Sequence, residues 1–151
     1  MFLFFILFLV LNFGSLAIGS QFMGNGPSSK WYLDLNKAPW NPPGWVFGVA
    51  WTTIMVCFSI YLAYLINLNN NIFFWLIFSV QFILNISWNF IFFNKHSIGV
   101  ALVIIILLTI TIGFYLFHFL GDMELKSLLI APYFLWLLIA TSLNAYSYFK
   151  N

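Results

Sequence analysis

The sequence contains very little charge. Only 5% of its 151 residues are Asp, Glu, Lys or Arg, whereas 64% are hydrophobic and 23% are aromatic. A soluble domain carries about 25% charged residues, so this chain has too few to cover a water-exposed surface. Its five basic residues are scattered lysines, which excludes the clustered basic face of a nucleic-acid-binding protein. The composition therefore indicates an integral protein of the lipid bilayer.

Cysteine and intramembrane carboxylates are also scarce. The one cysteine, Cys57, lies in an apolar run and excludes an internal disulfide or a cysteine-based metal site. None of the three carboxylates lies in the middle of an apolar segment, which disfavours a proton-coupled pump and excludes paired-carboxylate catalysis. His96 and His118 have no second ligand nearby in the sequence, so we expect no metal site. A lone axial ligand to haem is the remaining alternative for either histidine.

Five long apolar segments are present instead, and each approaches the roughly 20 residues that a helix needs to cross a bilayer. The predicted spans are residues 2–19, 44–66, 72–93, 98–120 and 127–149. We therefore predict one all-α domain, a bundle of five transmembrane helices, in which only the lid loop 20–43 is long. The short breaks predict an up-down bundle whose sequential helices are neighbours. The first segment is interpreted as a retained helix, with a cleaved signal peptide as the alternative.

The lysines predict the orientation of the chain. In a five-span topology Lys30, Lys37, Lys95 and Lys150 fall on one side, and the other side holds only Lys126. The positive-inside rule then places the long first loop and the C-terminus in the cytoplasm and the N-terminus outside. Because the sequence has no Arg-rich presequence, we expect a bacterial cell membrane.

Neutral polar residues do occur inside the predicted spans. In the third span Gln81, Asn85 and Asn89 recur every four residues, so they share one helical face, with Trp88 beside them. Similar stripes are Trp51, Met55 and Phe58 in the second span, and Trp136, Ala140, Leu143, Asn144 and Ser147 in the fifth. Two interpretations remain open: amides that hydrogen-bond between helices, and an apolar pocket with a few neutral polar groups.

The segment from residue 31 to residue 51 is unusual because it combines four tryptophans with three prolines. The prolines stiffen the chain and block regular helix. Indole rings favour a membrane–water boundary or the mouth of an apolar pocket. We therefore predict a stiff lid, Trp31–Pro43, and a helix start, Trp45–Trp51, whose aromatic face enters the pocket.

Several motifs in this order also point to a known family. They are Trp31–Lys37 (W-Y-x-x-L-x-K), Trp40–Phe47 (W-x-P-P-x-W-x-F), Trp51, Gln81–Trp88 (Q-x-x-L-N-x-x-W), Phe92–Phe93, Pro132–Trp136 (P-Y-x-x-W) and Leu143–Asn144. From Trp31 onwards the chain resembles the translocator proteins, also called tryptophan-rich sensory proteins or peripheral benzodiazepine receptors. The first segment resembles the family only in being apolar with small residues.

This resemblance implies a five-helix bundle, commonly a homodimer, that binds tetrapyrroles such as protoporphyrin or haem and requires no cofactor. Many members also bind sterols and benzodiazepine-type ligands. By resemblance the pocket lining comprises Trp45, Phe47, Gly48, Trp51, Asn85, Leu107, Trp136, Ala140 and Leu143, and the lid is shaped by Tyr32, Trp40, Pro42 and Pro43. The polar stripes add Trp88 and Asn144 to these candidates. We expect a sensor, carrier or scavenger of porphyrin, with Lys30 or Lys37 able to pair with the propionates.

Two alternatives remain. One is an enzyme that degrades bound porphyrin in light, for which the resemblance implicates Trp51 and Trp136. The other is a structural or regulatory membrane partner that has no small ligand. The chain departs from the family at Lys37–Pro39, where the first proline is displaced by one residue, and at Val100, where animal members have a tryptophan. The sterol-motif tyrosine is displaced to Tyr146, a rotation of about 100° on a helix, so sterol binding is disfavoured.

Overall fold

The computed structural model describes residues 1–151, and every regular element in it is helical. Seven α-helices follow one another: α1 Phe2–Phe22, α2 Lys30–Asp34, α3 Gly44–Leu68, α4 Ile72–Asn89, α5 Ile98–His118, α6 Leu120–Met123 and α7 Ala131–Lys150. A π-helical turn, Phe90–Asn94, extends α4, and 3₁₀ turns form at Gly26–Ser28 and Glu124–Leu129. The predicted all-α membrane fold is confirmed.

Four of these helices are long and apolar enough to cross a membrane: α1, α3, α4 with its π-helical turn, and α5. A fifth span requires two segments together, Leu120–Leu129 and Ala131–Lys150, which are bent by 72° relative to each other. The bend coincides with Pro132 in the first turn of α7, where a proline starts a helix readily but cannot continue a preceding one. The helix α7 therefore begins at Ala131, whereas the sequence predicts a span from residue 127.

Local sequence sets several of the other helix boundaries. Asn71 caps α4, because its side-chain oxygen accepts a hydrogen bond from the Phe74 backbone N–H at 3.0 Å. Pro43 precedes the first residue of α3 with the extended ψ of 150° that suits a residue flanking a helix. Ser29 caps α2 in the same way as Asn71, through the Tyr32 N–H at 3.2 Å. These caps fix where the lid ends and the membrane helices begin.

The helix α1 lies between α3 and α4, and this arrangement corrects one prediction. Asn12 on α1 donates a hydrogen bond to Ser59 on α3 at 2.9 Å, and Asn85 on α4 donates one to Ser15 on α1 at 3.3 Å. Although α3 and α4 are joined by a short turn, α1 contacts both and they are not close neighbours. The expectation that all sequential helices are neighbours is therefore wrong here. Polar residues on α1 provide hydrogen-bond partners for both flanking helices, which loop length cannot reveal.

The remaining helices complete a ring in the order α3, α1, α4, α5, α7 and back to α3. Contacts such as Thr109 with Thr141 and Phe47 with Trp136 join α5 to α7 and α7 to α3. Away from the lid the interior is filled by aromatic side chains: Phe58, Tyr61, Tyr115 and Tyr133 are all fully buried. These side chains fill much of this half of the bundle, and the main cavity lies in the other half, beneath the lid.

Candidate ligand-binding cavity

A cavity of about 380 Å³ lies at the lid end of the bundle. Its walls come from the link that follows α1, the first two turns of α3, the end of α4 with its π-helical turn, and the last turns of α7. Residues of the lid close the top. The volume falls within the range of about 300–1,000 Å³ that is usual for small-molecule sites.

Eight residues named from the sequence line this cavity: Tyr32, Pro42, Phe47, Trp51, Trp88, Ala140, Leu143 and Asn144. They come from the lid and from three helices that are far apart in the sequence. Phe47 and Trp51 are one helical turn apart on α3, so both rings face inward. Trp88 and Asn144 face them from α4 and α7. The lid-side parts of the polar and aromatic stripes therefore converge on one interior space, whereas Met55, Phe58 and Gln81 are buried outside it.

A smaller chamber of about 30 Å³ lies deeper in the bundle and shares Phe47, Trp51, Trp88 and Ala140 with the main cavity. Asn85 and Trp136 complete the predicted part of its lining. A space of this size holds about one water molecule or one small substituent of a ligand. The indole Nε1 of Trp136 is buried without a hydrogen-bond partner.

The position of Asn85 is compatible with both interpretations that the sequence left open. Its side chain is 4% exposed and donates a hydrogen bond to Ser15 on α1 at 3.3 Å, which braces the two helices. The same residue lines the inner chamber. Structural and pocket roles are therefore combined in one amide.

Five residues named from the sequence do not line either space: Trp40, Pro43, Trp45, Gly48 and Leu107. Trp45 is 71% exposed and Leu107 is 46% exposed, so both side chains face outward. On α3, Trp45 lies about 200° around the helix from Phe47, so the two rings cannot enter the same pocket. Likewise Leu107 lies on the outer side of α5, whereas Ile105 and Leu108 reach the chamber.

Trp40 lies in the lid, as the resemblance implies, but outside the cavity. Its indole N–H donates a hydrogen bond to Ser142 Oγ on α7 at 3.0 Å, and its ring contacts Tyr146 edge-on at 5.5 Å. The side chain is 54% exposed, so it lies against the outside of α7. Trp40 therefore fastens the lid to the bundle without lining the cavity.

Further contacts hold the lid in place. Trp31 stacks on His96, in the turn before α5, with ring centroids 4.1 Å apart. Tyr32 contacts Phe93 at 5.4 Å. Asn36 and Asn151 exchange hydrogen bonds of 2.9 and 3.2 Å, which ties the lid to the end of α7. The lid is thus attached to two different helix ends.

Several lining residues were not selected as site residues from the sequence: Met23, Pro27, Lys37, Asn41, Gly44, Asn89, Phe92, Phe93 and Ser147. Asn89 and Ser147 belong to the polar stripes, which gave the signal that could have identified them. Met23 and Pro27 lie in the irregular link after α1, where no periodicity exists. The inner chamber adds Ile105, Leu108 and Leu137, which the sequence presents only as apolar residues.

The cavity is apolar, with neutral amides and a single charged residue, Lys37. The Lys37 ammonium lies 4.8 Å from the centre of the Tyr32 ring and donates a hydrogen bond to the Leu33 carbonyl oxygen at 3.2 Å. Burial raises the pKa of the Tyr32 phenol, and a hydrogen bond with Asn41 opposes this in part, so the hydroxyl stays neutral at pH 7. No carboxylate lines the cavity.

The histidines lie outside the cavity. His96 stacks on Trp31 at the lid, and His118 stacks on Phe114 at the opposite end of α5, with ring centroids 4.6 Å apart. No group of three His, Cys, Asp or Glu side chains is placed to hold a metal ion. Neither histidine lines the cavity as an axial haem ligand would.

Comparison with known proteins identifies the family of the chain. The model of the TspO/MBR family matches residues 5–149, which include most of α1. The tryptophan-rich protein TspO of Chlorobaculum tepidum is 34% identical over 125 residues, 78% of this chain and 77% of the relative. The human translocator protein is 31% identical over 146 residues, 84% of this chain and 78% of the relative. The tryptophan-rich sensory protein of Cereibacter sphaeroides is 29% identical over 115 residues, 76% of this chain and 73% of the relative. The resemblance inferred from the motifs is therefore confirmed, and the chain belongs to the TspO/MBR family of multi-pass membrane proteins.

Proposed function

We propose that the cavity binds a tetrapyrrole, protoporphyrin or haem, and that the protein is a membrane sensor, carrier or scavenger of it. The observation that carries the proposal is the set of broad aromatic faces, Phe47, Trp51 and Trp88, that meet in one cavity beneath the lid. Such faces suit a flat macrocycle, because they offer large apolar area at low entropic cost. The names of the relatives, translocator and sensory protein, favour carriage or sensing over a purely structural role.

The wall formed by Trp88 is held in a fixed orientation, which also supports a preformed site. Trp88 stacks on Phe92 with ring centroids 5.1 Å apart and an interplanar angle of 17°. A ring that is already ordered loses little freedom when a ligand packs on it. A macrocycle could thus pack on the exposed part of this wall at little cost.

Titration of the purified protein with protoporphyrin IX tests the proposal. We expect saturable quenching of tryptophan fluorescence with one ligand per chain. Trp51 and Trp88 line the cavity and Trp136 lines the inner chamber, so a bound porphyrin would lie close to three indole rings. Empty detergent micelles with free tryptophan serve as the control for partitioning. Quenching that rises linearly with porphyrin concentration, without saturation, would contradict the proposal. It would favour the alternative of a structural or regulatory membrane partner that has no small ligand.

A second candidate function is light-dependent oxidative breakdown of the bound porphyrin by dioxygen. It is favoured by one observation, the presence of both Trp51 and Trp136 around the inner chamber, where they can exchange electrons with an excited ligand. Illumination should then bleach the Soret band faster than in detergent alone. The Trp51→Phe and Trp136→Phe variants should lose this excess rate, whereas Trp45→Phe, on the outer face, should keep it.

We also propose a bacterial cell membrane as the location, with the lid and the C-terminus in the cytoplasm. Lys30, Lys37, Lys95 and Lys150 all lie at the lid end, whereas Lys126 lies at the other end over the Tyr64 ring. A Cys57→Ala chain that carries Lys30→Cys should react with an impermeant maleimide only after the cells are opened. Labelling in intact cells would contradict this orientation and show that the lid faces outward.

By family resemblance we expect a homodimer, which chemical cross-linking in membranes tests.

A further inference from the structure

We propose that Lys37 makes the cavity selective for amphiphilic ligands that carry a carboxylate at one edge, over uncharged molecules of the same shape. The inference rests on the proposed tetrapyrrole function and specifies the chemical class of the ligand. It also specifies the orientation, with the flat apolar body toward the inner chamber and the acidic edge at the lid.

The distribution of charge supports this selectivity. Lys37 is the only charged residue that lines the main cavity, and no charged residue lines the inner chamber. The chain has three carboxylates in total, Asp34, Asp122 and Glu124, and none of them lines either space. A ligand in the cavity therefore meets one positive charge and no negative charge.

The Lys37 ammonium is held at the site with part of its hydrogen-bonding capacity free. It contacts the Tyr32 ring and donates one hydrogen bond to the Leu33 carbonyl oxygen at 3.2 Å. An ammonium has three N–H donors, so two remain for a ligand carboxylate. Lys37 is half-buried, so its charge is less screened than on an open surface yet keeps part of its hydration.

The polarity of the lining changes along the cavity. Near the lid it includes Lys37, Asn41 and the Asn89 amide, whereas the deep end is formed by aromatic and aliphatic side chains with Asn85 as the one polar residue. An uncharged apolar molecule would leave the two free N–H donors of Lys37 facing apolar atoms. A ligand with one acidic edge matches both ends of the cavity at once.

Lys30 provides a matched control because it lies on the same lid, seven residues before Lys37. Its side chain is exposed and does not line the cavity. A general effect of positive charge on an anionic ligand would depend on both lysines in a similar way. A direct contact requires Lys37 alone.

The test compares protoporphyrin IX with its dimethyl ester, which has the same macrocycle but no carboxylate. Binding is followed by the shift of the Soret band in the wild-type protein and in Lys37→Met, Lys37→Arg and Lys30→Met. We expect the wild-type protein to bind the acid at least about 10-fold more tightly than the ester, as a charge-assisted hydrogen bond predicts. Lys37→Met should remove this preference by weakening the acid alone, while Lys37→Arg and Lys30→Met should retain it.

The salt dependence provides an independent readout. Raising the NaCl concentration from 50 to 500 mM, on the order of a threefold shorter Debye length, should reduce the preference of the wild-type protein for the acid. The Lys37→Met variant should show no such dependence. Thermal unfolding of each variant checks that the fold is intact.

The possible failures are distinguishable. If neither porphyrin binds the wild-type protein saturably, the proposed function fails. If both bind and Lys37→Met leaves the preference unchanged, selection by Lys37 is overturned while porphyrin binding stands. If Lys37→Met weakens acid and ester equally, Lys37 acts by packing in the lid, and selection by its charge is again overturned.

Discussion

Trp88 donates its indole N–H to the side-chain oxygen of Asn144 at 2.9 Å, which joins α4 to α7 across the cavity wall. The Asn144 amide nitrogen in turn donates to the Ile98 carbonyl oxygen, at the first residue of α5, at 3.1 Å. One amide therefore links three helices at the end of the bundle where the cavity lies. It also orients the indole that forms one wall of the site.

Replacement of Asn144 by Leu should destabilise the protein and weaken porphyrin binding. The substitution leaves the part-buried Trp88 N–H without its partner, and the Ile98 carbonyl keeps only its bond within α5, so we expect a total loss of about 1–3 kcal/mol. Trp88→Phe removes the donor but keeps an aromatic ring, so it should cost less. Thermal unfolding in detergent measures the stability of both variants. An Asn144→Leu variant as stable as the wild-type protein would contradict the role of Asn144 in linking the three helices.

Gly19 on α1 should be intolerant of a side chain because Asn89 packs directly over it. A Cβ atom at this position would lie 2.7 Å from Asn89 Nδ2, so the amide that lines the cavity would have to move. We expect Gly19→Ala to lower stability by about 1–3 kcal/mol and to weaken ligand binding.

Gly14 is the matched control on the same helix. A Cβ atom there meets nothing within 4 Å, so Gly14→Ala should be neutral or stabilising by up to about 1 kcal/mol. Unfolding temperatures and protoporphyrin affinities of the two variants give the comparison. Equal behaviour of the two would contradict the close packing of Gly19 on Asn89.

The hydrogen bond between Trp40 and Ser142 should control how often the lid opens. Trypsin reports on opening because Lys30 and Lys37 both lie in the lid. Loss of one hydrogen bond in Trp40→Phe or Ser142→Ala should make cleavage at these lysines about 2- to 10-fold faster. The Trp45→Phe variant, altered on the outer face of α3, should be cleaved at the wild-type rate. If Trp45→Phe accelerates cleavage as much as Trp40→Phe does, the bond does not hold the lid.

The sequence predicted the membrane helices well because their signal is compositional. Long apolar runs separated by asparagine-rich or charged breaks leave little choice, and α1, α3 and α5 end within three residues of the predicted spans. The start of α7 was harder, since residues 127–130 are apolar enough to continue a span but lie before the bend at Pro132. The sequence did not predict the place of α1 between α3 and α4. Hydrophobicity shows which face of a helix is buried, but not which other helix packs against that face.

The candidate site was predicted where helical periodicity applied and missed where it did not. Spacing of four residues placed Asn85 and Asn89 on one face of α4, and both line the cavity or its inner chamber. Phe47 and Trp45 were named by resemblance alone, and their helical phase on α3 separates the lining Phe47 from the exposed Trp45. Met23 and Pro27 reach the cavity from irregular backbone, which has no period to read. For the lysines, the sequence suggested that either Lys30 or Lys37 could contact a ligand. The fold distinguishes them, because only Lys37 lines the cavity.

The most direct test of porphyrin binding in the cavity compares Trp51→Leu with Trp45→Leu. The two tryptophans lie on the same helix, but Trp51 lines both the cavity and the inner chamber, whereas Trp45 faces outward. Titration with protoporphyrin IX, followed by the Soret band, should show about 10-fold weaker binding for Trp51→Leu, as loss of one large aromatic contact predicts, and wild-type binding for Trp45→Leu. Equal affinity of both variants and the wild-type protein would contradict the account.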